Sequence, residues 1–321
     1  MKVVTSMLHE YTKHYLNKKN QLPSLVTMTA TEARELRAKA PKVARPIAKQ
    51  VAIKQQEIQM RDGTPIQIRL YTPVGQGPFP VILYFHGGGW VLNDLDNCHE
   101  SSSYLAQTTG QIVISVEYRL APEYRFPIPV HDCYDSFLWA KEHATNFNGL
   151  AESISVAGDS AGGNLAVAVC QLAASNNVPI KSQILLYPVT DLSFHSNSYT
   201  LFEKGFGLDR DVMQWFGDYY ISSPEDAKNP LVAPLQVPDV RIFPPTLVFV
   251  AENDVLRDEG LEFAHKLQQA NIDTKAVVME GIVHSYFTNN GVFEREVQQT
   301  IEQIDAFLKH VAEDSRANNQ S

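Results

Sequence analysis

Cysteine and long apolar runs are scarce in this chain of 321 residues. The three cysteines (Cys98, Cys133 and Cys170) are odd in number and widely spaced, which argues against a disulfide framework or a zinc ribbon. We therefore expect three reduced, mostly buried thiols. No apolar run reaches the roughly 18 residues that a membrane-spanning helix needs. The N-terminal segment also lacks the apolar core of a secretory signal, so we expect a cytoplasmic protein.

Positive charge is in short supply as well. Lysine and arginine number 27 against 36 aspartate and glutamate, which gives a formal net charge of −9. Such a surface repels nucleic acid. The sequence contains no G-x-x-x-x-G-K-[ST] phosphate loop and no G-x-G-x-x-G that opens a helix. No group of His, Cys and acidic residues has metal-ligand spacing. We therefore expect no cofactor, no bound metal and no nucleic-acid partner.

Strand and helix patterns alternate from about residue 50 onward. The short, β-branched segments are apolar on both faces, which predicts strands covered by helices on both sides of an open, mainly parallel, eight-stranded α/β sheet. The predicted strands are Val51–Met60, Ile66–Tyr71, Val81–Phe85, Ile112–Glu117, Ile154–Ala157, Ile184–Tyr187, Thr246–Ala251 and Thr274–Met279. The predicted helices are Cys98–Thr109, Val130–His143, Ala161–Ser175, Leu256–Ala270 and Phe293–Val311. We expect the first two strands to form an antiparallel hairpin at one edge.

Two segments depart from this alternation. Residues 1–40 have helical periodicity, with a Thr-x-x-Glu helix start at Thr29, so the first segment, 1–50, is predicted to contain N-terminal helices. Residues 190–235, the inserted segment, are rich in aromatic side chains and have no strand pattern. We interpret both as parts of a helical cap over a pocket in the α/β domain, which comprises 51–189 and 236–321. The alternative is that the inserted segment is an ordinary surface segment with no binding role, because aromatic residues at helical spacing more often pack in a core than line a ligand site.

A serine between a strand and a helix is the sharpest chemical feature. Gly158-Asp159-Ser160-Ala161-Gly162-Gly163 follows one predicted strand and opens a predicted helix. Such a turn holds the serine in a strained conformation, and the flanking glycines are needed because a Cβ would meet the neighbouring strand and helix. The serine hydroxyl then points out of the sheet, with a helix N-terminus behind it that favours an anion. We interpret Ser160 as a nucleophile.

A run of three glycines, His86-Gly87-Gly88-Gly89-Trp90, ends another predicted strand. Consecutive glycines leave backbone N–H groups unshielded, and converging N–H groups are what a tetrahedral oxyanion needs. The N–H of Ala161 would add a further donor. We expect Gly88→Pro to cripple turnover and leave the fold intact. We also expect Arg119 and Glu123 to form a structural ion pair beneath this glycine loop.

A nucleophilic serine needs a base and a group that orients the base. Among ten histidines, His284 lies in the loop after the last predicted strand, at the sheet edge where Ser160 is also expected. We assign it as the base, with His195 of the inserted segment as its rival. Asp254 ends the preceding strand and is assigned as the orienting acid, with Asp191 as its rival. The resulting chain order Ser–Asp–His is that of the α/β-hydrolase arrangement.

Four motifs together resemble the hormone-sensitive-lipase-like esterases, also called bacterial family IV. They are HGGGW at 86–90, YRLAPE at 118–123, GDSAGG at 158–163 and the acid and histidine pattern near the C-terminus. The resemblance runs from about residue 50 to 310. It implies an α/β-hydrolase fold with a helical cap, and hydrolysis of carboxylic esters. It also implies these roles: Ser160 as nucleophile, His284 as base, Asp254 as orienter, and Gly88, Gly89 and Ala161 as oxyanion donors.

The cap and the residues near the motifs suggest a closed, apolar acyl pocket. We therefore expect a small-molecule ester with a short-to-medium acyl chain as the substrate. The alternatives are an amidase on the same machinery, similar to arylacetamide deacetylases, and a non-catalytic protein that binds a small ligand on this fold. The resemblance also allows a homodimer. The candidate substrate-binding residues are Trp90, Phe206, Trp215 and Phe287.

Overall fold

One eight-stranded sheet organises the computed structural model, which describes residues 8–39 and 48–318. The strands are β1 (Val51–Gln59), β2 (Pro65–Pro73), β3 (Phe79–Phe85), β4 (Ile112–Val116), β5 (Gly149–Asp159), β6 (Gln183–Leu186), β7 (Thr246–Asn253) and β8 (Thr274–Val283). Their spatial order is β1-β2-β4-β3-β5-β6-β7-β8. β2 is antiparallel to both β1 and β4, and every other neighbouring pair is parallel. The predicted mainly parallel sheet with an edge hairpin is therefore confirmed.

Helices connect the strands close to the predicted positions. They are α1 (Glu10–Lys19), α2 (Ala30–Lys39), α3 (His99–Thr109), α4 (Ile128–His143), α5 (Ala161–Ser175), α6 (Asn197–Leu201), α7 (Arg210–Tyr220), α8 (Arg257–Gln269) and α9 (Glu294–Asn318). Parts of the predicted N-terminal helical region, 1–7 and 40–47, lie outside the described residues. No helix in the described ranges is both long and apolar enough to cross a lipid bilayer.

Two apolar cores lie on opposite faces of the sheet. Along β3, Leu83 packs into the core covered by α4, α5 and α8, whereas Ile82 and Tyr84 pack into the core covered by α3 and α9. This alternation follows from the two-residue period of a strand. It explains why the central strands are apolar on both faces. The three cysteines are buried and free, as predicted, and burial raises the pKa of the Cys98 thiol to about 12.

The N-terminal helices and the inserted segment contact each other. α2 begins with the expected capping box: Thr29 N donates to Glu32 Oε2 at 2.8 Å, and Glu32 N donates to Thr29 Oγ1 at 3.3 Å. The Trp215 indole of α7 donates to the Met28 carbonyl at 3.1 Å. Asn20 Nδ2 donates to the Gly205 carbonyl at 3.0 Å. The two segments assigned to the cap thus form a joint structure.

The ion pair predicted between Arg119 and Glu123 is wrong. Arg119 pairs with the fully buried Asp132 on α4 at 2.6 Å and with Asp62 at 2.7 Å. Glu123 pairs instead with Arg34 of α2 at 2.8 Å. The two residues lie in a non-helical segment, so side chains four positions apart do not face each other as they would on a helix. Each side chain therefore finds a partner from a distant part of the chain.

Candidate active site

The turn between β5 and α5 holds Ser160 in an unusual backbone conformation. Its φ is +55° and its ψ is −119°, which is the strain expected from the sequence. A Cβ at Gly158 would lie 2.2 Å from the Gly162 carbonyl oxygen, and one at Gly162 would lie 1.9 Å from the Phe85 carbonyl oxygen. Both positions therefore require glycine. The turn brings Ser160 to the carboxyl edge of the sheet, where its side chain is almost completely buried.

Three side chains that are distant in sequence meet at this edge. His284, which directly follows β8, has its Nε2 2.9 Å from Ser160 Oγ and its Nδ1 2.6 Å from Asp254 Oδ2. Asp254 directly follows β7, and its Oδ1 accepts a hydrogen bond from Leu256 N at 3.1 Å. Because the carboxylate accepts from Nδ1–H, Nε2 is left to accept the serine proton. The arrangement can make the hydroxyl nucleophilic.

The rival residues lie elsewhere. His195 is exposed in the inserted segment, and the Asp191 carboxylate accepts a hydrogen bond from the Ser193 hydroxyl. A residue that sequence reasoning missed is Tyr187, at the end of β6, whose ring packs against the His284 imidazole with centroids 4.8 Å apart. Its position at the carboxyl end of a parallel strand was the available signal.

The glycine loop is attached to the serine turn through Asp159. Asp159 Oδ1 accepts hydrogen bonds from Gly87 N at 2.9 Å and from the Tyr84 hydroxyl at 2.8 Å. Burial raises the pKa of this carboxyl above its ordinary value, and the two hydrogen bonds oppose that rise. Asp159 thus links the glycine loop to the turn that holds Ser160. Sequence reasoning missed this role, although a carboxyl group beside Ser160 in an otherwise small and apolar stretch was a signal.

The backbone of the glycine loop requires glycine at a central position. Gly88 has a φ of +118°, and a Cβ there would lie 2.2 Å from the Leu92 carbonyl oxygen. Among the described residues, no group accepts a hydrogen bond from the N–H of Gly88 or Gly89. Ala161 is the first residue of α5, so its N–H has no partner within the helix. The expectation that Gly88→Pro leaves the fold intact is wrong, because proline fixes φ near −65°.

Helix α7 of the inserted segment lies directly on the glycine loop. The ring of Phe216 packs against Gly89: a Cβ at Gly89 would lie 2.1 Å from two of the ring carbons. One turn later, Tyr220 stacks on Trp90 with centroids 4.2 Å apart and planes within 2°. Sequence reasoning missed Phe216, because nothing local in the sequence pairs position 216 with position 89.

The candidate substrate-binding residues have different surroundings. Trp90 and Phe287 are fully buried, Trp90 against Tyr220 and Phe287 stacked on Tyr84 with centroids 6.5 Å apart. Phe206 and Trp215 are half-buried in the inserted segment. Their roles in binding stay predictions.

Within the part of the chain that the structure describes, one surface cluster has ligand atoms close enough together to hold a metal ion. Asp273, His310 and Asp314 place one ligand atom each within 4.8 Å of one another, and all three are exposed. The cluster contains none of the residues around Ser160.

Comparison with known proteins identifies the family. The model for the alpha/beta hydrolase fold matches residues 82–288, and the chain belongs to this family. An alpha/beta hydrolase of Acanthamoeba polyphaga mimivirus is 37% identical over 66% of this chain and 62% of its own length. The ethyl acetate hydrolase of Pseudomonas putida is 34% identical over 78% of this chain and 80% of its own.

A solved structure extends the likeness to nearly the whole chain. One of two fungal esterases from Rhizomucor miehei superimposes with a TM-score of 0.90 at 32% identity, covering 96% of this chain and 97% of its own. These findings confirm the α/β-hydrolase fold and the resemblance to carboxylesterases. Within its family, the chain is a carboxylic ester hydrolase.

Proposed function

We propose that the protein is a serine carboxylesterase that hydrolyses esters of short-to-medium acyl chains through an acyl-enzyme intermediate. The observation that carries this proposal is the pair of contacts made by His284, at 2.9 Å to Ser160 Oγ and 2.6 Å to Asp254 Oδ2. Both contacts are at hydrogen-bond distance, and all three side chains are buried. α1, α2 and the inserted segment form the cap over this site in the proposal.

The reaction proceeds in two acyl transfers. His284 Nε2 takes the Ser160 proton while Oγ attacks the ester carbonyl carbon, and the same nitrogen then gives that proton to the leaving alcohol. Water enters and loses a proton to His284 as it attacks the acyl-enzyme. The returning proton restores the Ser160 hydroxyl and releases the acid. Asp254 orients the imidazole and stabilises its protonated form throughout.

The negative charge that develops on the carbonyl oxygen needs fixed donors. The unpartnered N–H groups of Gly88 and Gly89, with that of Ala161 at the N-terminus of α5, supply them in this proposal. One such donor is worth about 2.7–4 kcal/mol in the transition state. The hydrogen bond from Gly87 N to Asp159 keeps the loop in place before the substrate arrives.

The preference for smaller acyl groups has two sources of support. The buried aromatic rings of Trp90 and Phe216 lie against the glycine loop and restrict the space near it. The ethyl acetate hydrolase of Pseudomonas putida, by its name, acts on an ester of a two-carbon acid. A cytoplasmic location and a homodimer stay predictions.

An acyl-length series tests the proposal. kcat/KM is measured for the wild-type protein and for Ser160→Ala with p-nitrophenyl esters from acetate to palmitate. We expect wild-type turnover to peak at or below about eight acyl carbons, and Ser160→Ala to lose at least about 10³-fold at every length. Covalent labelling of the wild type by a fluorophosphonate, absent in Ser160→Ala, identifies the nucleophile.

Three outcomes contradict parts of the proposal. Turnover that rises towards palmitate rejects the acyl-length preference. Faster cleavage of butyryl anilide than of the matching ester favours an amidase. An unlabelled, inactive wild type that still binds small carboxylic acids favours a binding protein.

A further inference from the structure

Arg34 of α2 reaches from the N-terminal helices to the segments that follow the glycine loop. Its Nε donates a hydrogen bond to the Val91 carbonyl at 2.8 Å, and its Nη2 donates to the Ala121 carbonyl at 2.7 Å. Its two terminal nitrogens also donate to the Glu123 carboxylate, each at 2.8 Å. Because the guanidinium presents its N–H donors in a rigid, planar fork, this one side chain holds all three groups in a fixed arrangement.

Both carbonyls that Arg34 binds belong to backbone that is hydrogen-bonded to the glycine loop. Ala121 N donates to the Trp90 carbonyl at 2.9 Å, and Val91 N donates to the Gly88 carbonyl at 3.2 Å. The hydrogen bonds therefore form a closed ring, which runs from Trp90 to Ala121, through the guanidinium to Val91, and back along the chain to Trp90. The end of the glycine loop is thus fixed to α2.

A second arginine on the same face of α2 reaches the beginning of the glycine loop. Arg37, three residues after Arg34, donates from Nη1 to Asn93 Oδ1 at 2.6 Å. Asn93 Nδ2 in turn donates to the Gly87 carbonyl at 3.0 Å. Since the Gly87 N–H is bound to Asp159, the glycine loop is held both by α2 and by the turn that contains Ser160.

The position of α2 itself does not depend on the guanidinium of Arg34. Ala33 is fully buried, and Ala30, one turn earlier, is 4% exposed. The Met28 carbonyl, just before the helix, accepts a hydrogen bond from the Trp215 indole at 3.1 Å. Removal of the guanidinium should therefore release the segments that follow the glycine loop and leave the helix docked.

We propose that Arg34 is a positioning residue, which fixes the glycine loop in the shape that presents its N–H groups to the oxyanion. It acts through the carbonyls of Val91 and Ala121. The inference rests on the proposed ester hydrolysis, in which the N–H groups of Gly88 and Gly89 stabilise the transition state. Donors that are fixed in advance stabilise developing charge without a cost of reorganisation. Turnover then depends on the docking of α2, so the N-terminal helices contribute to catalysis as well as to the cap.

Two replacements of Arg34 test the inference. Arg34→Met removes the guanidinium and keeps an apolar stem, whereas Arg34→Lys keeps the positive charge and loses the planar fork. kcat and KM are measured with p-nitrophenyl butyrate, together with the inhibition constant of an alkyl trifluoromethyl ketone, which forms an oxyanion on the serine. Urea unfolding shows whether each variant is folded.

We expect kcat to fall by about tenfold or more in both variants, because loss of one oxyanion donor costs about 10²–10³-fold and a loosened loop loses part of that effect. KM should stay within about threefold of the wild type, since binding of the uncharged ester does not depend on these donors. The inhibition constant of the ketone should rise by the factor by which kcat/KM falls.

Glu123→Gln and Arg241→Met are the matched controls. Glu123→Gln removes the ion pair and leaves the guanidinium free to bind both carbonyls. Arg241 forms a similar bidentate pair with Asp239, at 2.9 and 2.8 Å, but it precedes β7, whereas Ser160 follows the opposite end of the parallel strand β5. Exposed ion pairs contribute little, so we expect both controls to keep kcat and the inhibition constant within about twofold of the wild type.

The outcomes separate this inference from the proposed function. A loss of less than about tenfold in kcat for Arg34→Met, or for Arg34→Lys where the methionine variant does not fold, overturns the positioning role. A rise in KM without a rise in the ketone inhibition constant overturns it as well, because Arg34 would then act on substrate binding. An equal loss in Glu123→Gln also overturns it, because the ion pair and not the carbonyl contacts would carry the effect. A wild type that hydrolyses no ester and resists fluorophosphonate labelling overturns both this inference and the proposed function.

Discussion

Replacing Asp159 tests how the glycine loop is held against Ser160, the proposed nucleophile. In Asp159→Ala, Gly87 N and the Tyr84 hydroxyl lose the acceptor that they share at 2.9 and 2.8 Å. Both donors are buried, and an unpaired buried donor costs about 1–3 kcal/mol. The two together cost about 2–6 kcal/mol, which the removal of a buried carboxylate partly offsets. We expect a loss of unfolding free energy near the lower end of that range.

The effect on activity should be larger than the effect on stability implies. Once Gly87 is released, the N–H groups of Gly88 and Gly89 are no longer fixed relative to Ser160. Loss of one well-placed oxyanion donor costs about 10²–10³-fold in turnover. We therefore expect kcat/KM for p-nitrophenyl butyrate to fall by about that factor in Asp159→Ala, with Ser160 still in the protein.

Asp159→Asn separates the hydrogen bonds from the charge. The asparagine carbonyl oxygen can accept from both donors, and the substitution removes an ionised group whose pKa burial already raises. We expect its unfolding free energy to equal or exceed that of the wild type at pH 7, and its kcat/KM to stay within about tenfold. Tyr84→Phe, which leaves Gly87 N bonded, should lose about 1 kcal/mol of stability.

The assay combines urea unfolding, ester turnover and inhibition by an alkyl trifluoromethyl ketone, whose serine adduct carries an oxyanion. The inhibition constant should rise in Asp159→Ala by about the same factor as kcat/KM falls. The reasoning is refuted if Asp159→Ala keeps more than a tenth of wild-type activity. It is also refuted if Asp159→Asn falls as far as Asp159→Ala, because the charge and not the hydrogen bonds would then matter.

Three further predictions concern stability and the orienting acid. Burial raises the pKa of Glu259 well above its ordinary value, so the folded chain keeps a proton that the unfolded chain loses above about pH 4.3. As the pH rises from that value towards the pKa of the folded state, the free energy of unfolding of the wild type should fall relative to that of Glu259→Gln, by up to about 1.4 kcal/mol per pH unit. Urea unfolding of both proteins across this pH range measures the difference. Parallel curves for the two proteins would contradict the prediction. Gly162→Ala should lower the urea midpoint sharply or yield no soluble protein, because its Cβ meets the Phe85 carbonyl at 1.9 Å; an unchanged midpoint would contradict it. Asp254→Asn should lower kcat on p-nitrophenyl butyrate by about 10⁴-fold with little change in unfolding, since the imidazole of His284 takes the wrong tautomer; a loss under tenfold would reject Asp254 as the orienter.

The sheet could be predicted from sequence because its central strands carry a strong local signal. β4 is buried at every position, and its five residues IVISV are almost all β-branched. The ends of the strands and helices were predicted less accurately. β5 begins at Gly149, earlier than the predicted Ile154. The prediction missed this start because Glu152 and Ser153 interrupt the apolar run and residues 150–153 are not buried. α9 continues to Asn318, past the predicted end at Val311, through a polar stretch that lacks an apolar stripe.

The site could be predicted where each residue ends a strand. Ser160, Asp254 and His284 each follow a parallel strand, and the carboxyl ends of such strands meet at one edge. The sequence contains no comparable signal for contacts between side chains that lie in different layers of the fold. The pairing of Arg119 with Asp132 depends on how α4 packs below the segment, and the contact of Phe216 with Gly89 depends on how the inserted segment folds back.

The turn after β5 fixes the position of Ser160 relative to both His284 and the glycine loop. Ser160 points to His284 across one side of the turn, whereas its neighbour Asp159 reaches the backbone of the glycine loop on the other. Because the two residues are adjacent in the chain, the distance between Ser160 and the glycine loop is set by one peptide unit and the hydrogen bond from Gly87 N to Asp159. Gly162 allows α5 to pack against the end of β3, and Gly158 allows the end of β5 to pack against α5. A substitution that widens this turn should therefore disturb the contacts of Ser160 with the proposed base and with the proposed oxyanion donors together.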